Sequence, residues 1–355
     1  MCIIEESEFR HTTNFKTVPL TEAVGMVLMH DITEIRPGEF KGRAFKKGHI
    51  VKEEDIPRLQ NLGKENLFVL NIADDEIHEN EAAYAIANAL MGDGVTMEGE
   101  PKEGKINIIA EKDGLLKVNK DALLEFNMLG EVMCATLHNN AFVKKGQLLA
   151  GTRAIPLVVN RNIVERAVLI AETAGNVIAV KSLKSPKVGV VITGNEIYYG
   201  RIKDGFASII TDKILAFNGE IVDIHYTPDD ETFIIARLEE LIQKGADLLI
   251  TTGGMSVDPD DVTRFAIRKL GARDIVYGSA VLPGAMFLIG YTNNDIPILG
   301  IPACGLYHKV TIFDLILPGI LAGEKIGRKE LAEFGHGGLC LNCKECRYPV
   351  CPFGK

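Results

Sequence analysis

From Lys187 to Gly271 the chain repeats one pattern three times: a largely apolar run, a short polar loop, then an amphipathic segment that closes on glycine. Apolar runs joined by helices of this length pair in parallel, because a hairpin leaves no room for the helix between them. The first run, KVGVVITG, ends at Thr193 and Gly194, and a helix is expected from about Gly205 to Phe217, with Asn218 and Gly219 as its C-terminal stop. EIVDIHYTP follows, and Asp229 is placed to cap a helix that runs to Lys244 with Ile234, Leu238 and Leu241 on one face. ADLLITTGG is the third run, and DPDDVTRFAIRKLG the third helix, opened by Pro259 and closed by Gly271. DIVYGSAVLPG comes next, and then MFLIGY and IPILGIP, separated by the turn residues TNND, read as a hairpin. A last helix is expected to carry Leu306, Val310, Phe313, Leu317 and Leu321 against the sheet. The expected fold class is α/β, an open, mostly parallel sheet with helices on both faces over 187–325.

Residues 1–180 read differently, with short strands, frequent glycine turns and few long helical patterns, so a mainly β region is expected. EDIPRLQNLG and NEAAYAIANALMG carry helical spacing. FKKGHIV (45–51) and VKKGQLLAG (143–151) echo one another, either as two ordinary basic turns or as a duplicated barrel-like module. VKSLKSPK, polar and holding Pro186, marks the domain boundary.

At 355 residues the chain has room for two or three domains. A net charge of −9 excludes a general electrostatic footprint for nucleic acid or an anionic membrane surface, so any bound anion must be held locally. No apolar run reaches the ~18 residues of a membrane span, and the start, MCIIEESEFR, is acidic where a signal peptide would be basic; a cytoplasmic location is expected. Of 7 cysteines, Cys340, Cys343, Cys346 and Cys351 crowd the tail at 336–355 as C-x2-C-x2-C-x4-C-P, which points to metal or redox chemistry and away from a disulfide framework. That spacing is one residue longer in its last gap than a bacterial ferredoxin run, and four thiolates suit either an iron–sulfur cluster or tetrahedral zinc.

Loops leave the first three strands at TGNEIYYG (193–200), TPDDE (227–231) and TTGGMSVDPDD (251–261), the end where open α/β sheets bind ligands. Gly253 and Gly254 let backbone N–H groups approach an anion, and Ser256 adds a hydroxyl. The Walker pattern fails, because no Lys followed by Ser or Thr comes after Gly254, and the dinucleotide fingerprint lacks its third glycine. What remains is a phosphate-sized nest flanked by Asp229, Asp230, Asp258, Asp260 and Asp261. Carboxylates repel a bare phosphate, and Mg²⁺ bridging acid and phosphate oxygens relieves the repulsion. The plainer reading is that these acids cap helix starts, with Asp261 one turn inside the third helix. LPGAM (282–286) and GIPACG (300–305) form a second glycine-and-proline set, and Cys304 lies at a helix start, where a thiol pKa can be lowered.

TTGG-x-S-x4-D at 251–261, with TGNEI, TPDDE, PGAM and IPACG in order, resembles the molybdopterin-binding domain shared by molybdopterin adenylyltransferases and molybdopterin molybdenumtransferases. The resemblance covers about 187–322. It implies that the Gly-Gly loop and Ser256 hold the terminal phosphate of the pterin, and that Asp261 and Asp229 serve Mg²⁺ and the transfer chemistry. Thr193, Gly194, Glu196, Thr252, Gly253, Gly254, Asp258, Pro283, Gly284, Pro302 and Cys304 then fall on the binding loops. Implied partners are a pterin phosphate with ATP or molybdate, a molybdoenzyme, and further copies of the chain. The family's last loop usually reads Pro-Gly-Asn-Pro or Pro-Gly-Ser-Pro, and here it is Pro302-Ala303-Cys304-Gly305. VPLTEAVGMVLMHDI (18–32) resembles the opening of a molybdenumtransferase, but the Met-Asp-Gly motif that follows there is replaced by TEIRPGEFKGRAFKKG. Two functions are therefore expected: nucleotide or molybdenum transfer in molybdenum cofactor biosynthesis, or a non-catalytic pterin carrier or sensor with a metal-binding tail.

Overall fold

The computed structural model describes residues 15–36, 40–70, 72–255 and 261–355, so the expected site residues Ser256 and Asp258, with Pro259 and Asp260 beside them, lie outside the described residues. The chain divides into two units: one runs up to Ala110 and takes in 118–137 and 146–179, and the other comprises 111–117, 138–145 and everything from Val180 on.

In the first unit, strands Phe15–Pro19, Val27–Leu28 and Asn66–Leu70 form an antiparallel sheet over a core that includes Leu28, Ile32, Leu59 and Val69. A four-stranded antiparallel sheet follows, in the order Val132–Thr136, Leu148–Ala154, Lys105–Ala110, Val95–Lys102. Helices form at Ile56–Asn61 and Glu79–Leu90, as the spacing predicts. Two more, Lys120–Asn127 and Arg161–Thr173, add to the expected mainly β region. Each starts on an asparagine whose side chain accepts a backbone N–H (Asn119 from Ala122, Asn160 from Asn162), and each buries one narrow face, Ala122 and Phe126 in the first and Val164, Ala167 and Ala171 in the second.

The Lys-Lys-Gly echo is one turn built twice. Gly48 N–H donates to the Leu28 carbonyl and Gly146 N–H to that of Ala110, both at 2.8 Å. The Lys47 and Lys145 amides donate, also at 2.8 Å, to Asp31 and Asp113, which stand three residues after those carbonyls. Both glycines hold positive φ, +86° and +80°, which explains the residue type. The first turn follows a two-stranded hairpin and the second feeds the four-stranded sheet, so the repeat is local.

In the second unit the strands are β1 (Lys187–Thr193), β2 (Glu220–Thr227), β3 (Leu248–Thr252), β4 (Arg273–Tyr277), β5 (Leu288–Tyr291) and β6 (Pro297–Ile301). They form one sheet in the order β2-β1-β3-β6-β5-β4, parallel except for β5, which pairs antiparallel with both neighbours. The TNND turn between β5 and β6 closes the expected hairpin. Pleating divides the strands between two cores. Val190 and Ile250 face α1 (Phe206–Leu215) on one side, and Val191 and Leu249 face α2 (Glu231–Gln243) and α3 (Thr263–Lys269) on the other. Gly189 lets α2 approach, since a Cβ there would lie 2.8 Å from that of Leu241.

Three expectations change. Asp230, not Asp229, caps α2, accepting the Thr232 and Phe233 amides at 2.8 and 3.2 Å. Adjacent aspartates have equal capping preference, and the position of the first helical turn decides between them. Asp261 stands ahead of α3 and not one turn inside it. The last helix is shorter than its spacing predicts: a 3-10 turn at Ala303–Leu306 is followed by α4, Ile312–Leu321, which starts at Thr311 in a capping box with Asp314. Its N-cap interrupts the run between Leu306 and Phe313. Replacing Asp230 with Ala is expected to cost about 1 kcal/mol in urea unfolding, with Asp230→Asn close to wild type because Asn caps equally well.

Candidate functional site

The chain runs from β1 to β2 on one side of β1 and then to β3 on the other, so the carboxyl ends of β1 and β3 flank a topological switch point. Three buried threonines hold these ends together. Thr193 Oγ1 donates to the Thr252 carbonyl at 3.0 Å and lies 3.1 Å from Thr263 Oγ1 at the start of α3. The loop between is squeezed against this network: Gly253 and Gly254 hold φ of +79° and +58°, and a Cβ on them would meet the Thr193 carbonyl oxygen at 2.3 Å and Thr263 Oγ1 at 2.4 Å. Beside them, Thr252 Oγ1 and Thr227 Oγ1 are buried without a hydrogen-bond partner. An orphaned buried hydroxyl costs about 1–3 kcal/mol, so Thr252, beside the glycine loop, carries an unmet hydrogen-bonding demand.

The first and second loops are clamped reciprocally. Asn195 N–H donates to Asp229 Oδ2 at 3.0 Å, and Asp229 N–H to Asn195 Oδ1 at 3.4 Å. Glu196 is exposed, and its carboxylate folds back to within 2.8 Å of where a Gly194 Cβ would stand.

A cavity of about 680 Å³ opens in front of the glycine loop and gathers Gly253, Gly254, Asp261, Pro283, Gly284, Pro302 and Cys304 from the expected site residues. Thr193, Gly194, Glu196, Thr252 and Asp229 support the loops without lining it. Gly284, at φ +130°, is pressed against α4, where a Cβ would lie 2.5 Å from Ile312 Cγ2. The Cys304 thiol is raised above its ordinary pKa by burial. Burial outweighs the lowering that a helix start can give, because a four-residue 3-10 turn has too few aligned peptides to offset desolvation.

Sequence reasoning missed part of the wall. His308, Met286 and, from the tail, Leu339, Cys340 and Asn342 also line the cavity. The tail is tied in by Leu282 N–H to the Gly338 carbonyl and Cys340 N–H to the Leu282 carbonyl, both at 2.8 Å, and by the buried Phe353 ring in the core of the sheet. His308 lies four residues past Cys304 and could have been suspected on that ground; Asn342 gives no signal. Among the described residues, no three tail sulfurs lie within 4.8 Å of one another, and the grouping of that kind that does occur is Asp223, His225 and Glu240. There Lys244 Nζ already sits 2.7 Å from both carboxylates, so the trio is an ion-pair network. None of the described helices is long and apolar enough to cross a membrane.

The sheet order and the loops at its switch point define an open α/β domain. Residues 189–332 match the family model of a probable molybdopterin binding domain, and residues 17–71 match a domain family of unknown function. Over those residues the α/β portion of the chain is thus similar to the molybdopterin-binding domain family. Among curated proteins, a CinA-like protein of Thermosipho melanesiensis is 31% identical over 108 residues, 30% of this chain and 27% of that protein. A CinA-like protein of Mycobacterium avium is 32% identical over 97 residues, 27% and 22% of the two chains. The chain spans about a quarter of the length of these relatives. Among solved structures, the molybdopterin biosynthesis enzyme MoaB of Thermus thermophilus is 22% identical, covering 39% of this chain and 98% of that one, with a TM-score of 0.33. The tungsten cofactor synthesizing protein MoaB of Pyrococcus furiosus is 20% identical, covering 41% and 100%, also at 0.33.

Proposed function

We propose that the cavity binds molybdopterin through its terminal phosphate and that the domain transfers nucleotide or molybdenum in molybdenum cofactor biosynthesis. The observation that carries this reading is the tight Gly253–Gly254 turn, with the orphaned Thr252 hydroxyl beside it and Asp261 on the same cavity wall. Gly253 and Gly254 would hold the phosphate through backbone N–H groups. Asp261, with Asp229 bracing the neighbouring loop, would hold Mg²⁺. When bound, Mg²⁺ spreads the charge that develops on phosphate oxygens during transfer. The clamp between Asn195 and Asp229 keeps two loops in register while a ligand enters.

A second reading, a pterin carrier, is favoured by the tail. Leu339, Cys340 and Asn342 wall the cavity in a chain that lacks the Met-Asp-Gly motif of the transferases it resembles. Both readings require pterin. Protein purified without oxygen is expected to carry, or to take up from solution, about one molybdopterin per chain, measured as its fluorescent oxidation product. Absence of pterin after both treatments would sink both readings, whereas pterin without turnover on ATP or molybdate would select the carrier.

A further inference from the structure

We infer that the tail holds an iron–sulfur cluster, ligated by Cys340, Cys343, Cys346 and Cys351, in a second cavity that shares a wall with the first. All four cysteines line this one cavity, of about 430 Å³, which lies between the tail and the segment from Tyr307 to Val310. The other described cysteines stand apart. Cys134 is buried in the first unit, and Cys304 lines only the first of these two cavities.

The spread of the sulfurs suits the larger of the two groups that four thiolates accept. Tetrahedral zinc, with bonds of about 2.3 Å, requires its sulfurs about 4 Å apart. Here no three of these sulfurs lie within 4.8 Å of one another, although all four border one cavity. A four-iron cluster binds each thiolate through a different iron and so spreads the sulfurs around a larger core. The cavity is also far larger than one ion needs.

Charge and order support the same assignment. Lys309, Lys344 and Arg347 line the cavity, where they would offset the negative charge of a cluster with four thiolates. Cys340 and Cys351 are half-buried against the core of the sheet, and Phe353 anchors the segment just beyond them, so half of the ligand set is held before any metal arrives. Cys343 and Cys346 are exposed and close the solvent side.

Cys340, His308, Leu339 and Asn342 line both cavities. Cluster assembly therefore fixes a wall of the larger cavity, a consequence that rests on the pterin reading. The cluster itself does not rest on it.

The test is reconstitution of the full chain with ferrous iron and sulfide without oxygen, followed by iron, sulfide and zinc analysis. Wild type is expected to take up about four irons and about four sulfides per chain, with a paramagnetic signal after dithionite reduction. Cys343→Ser and Cys346→Ser are each expected to lower iron and sulfide at least ~5-fold while leaving the far-ultraviolet dichroism unchanged, because both side chains are exposed and pack on nothing in the core. Cys134→Ala is expected to load as wild type. One zinc per chain without sulfide, no metal uptake by wild type, or full iron loading of both serine variants would each overturn the assignment. Iron and sulfide are read without pterin, so a chain that binds no pterin but loads the cluster sinks only the pterin reading.

Discussion

Gly253→Ala is expected to destabilise the α/β unit by about 3–5 kcal/mol, among the largest effects of any single substitution in the chain. Two terms add. The backbone at φ +79° lies in the left-handed region, where a Cβ costs roughly 1–2 kcal/mol. The second term is the larger, because that Cβ would stand 2.3 Å from the Thr193 carbonyl oxygen, a backbone atom at the end of a strand hydrogen-bonded on both sides. Relief requires moving that strand end or breaking the bond from Thr193 Oγ1 to the Thr252 carbonyl, which leaves buried polar atoms unsatisfied. Gly200→Ala is the matched control, since its φ is +71° but nothing lies within 4 Å of the added Cβ, so only the conformational cost of about 1–2 kcal/mol remains. With no Trp in the chain, urea unfolding is best followed by far-ultraviolet circular dichroism. Equal losses for the two variants would show that the loop relaxes around the added methyl and that Gly253 serves conformation alone.

The glycines, like the order of strands and helices in this unit, were legible because each is fixed by local chemistry. Continuous apolar runs and period-3.6 patterning named the elements, and TNND named the hairpin. What stayed hidden depends on neighbours distant in sequence. Nothing local distinguishes Asp229 from Asp230 as a cap. The choice follows from where the strand ends, and it turns Asp229 toward Asn195, 34 residues away in sequence. The tail was not legible as a cavity wall, because its placement rests on Phe353 entering the core and on backbone bonds to Leu282. Likewise, the run of apolar residues from Leu306 to Leu321 predicts one helix, and only the bonds between Thr311 and Asp314 reveal that a new helix starts there.

Asp261→Asn is expected to leave pterin binding within about 3-fold and to lower Mg²⁺-dependent turnover by roughly 10²–10³-fold. The substitution keeps shape and removes one negative charge. Stability is expected to hold, because Asp261 stands ahead of α3 and Asn is as well tolerated near a helix start. The backbone amides of Gly253 and Gly254, which would hold the phosphate, are untouched. What changes is the affinity for a hard dication, which depends on carboxylate charge more than on an amide oxygen. The loss should therefore appear in kcat and in the Mg²⁺ concentration needed for half-maximal rate, with the KM for pterin little moved. ATP-dependent and molybdate-dependent turnover, each titrated with Mg²⁺ in wild type and variant, measures this directly. Superimposable Mg²⁺ curves would remove Asp261 as the metal's partner. A wild type that binds pterin yet turns over neither co-substrate would leave the acid as a wall of a carrier's pocket, beside the Pro-Ala-Cys-Gly loop and the cysteine tail that distinguish this chain.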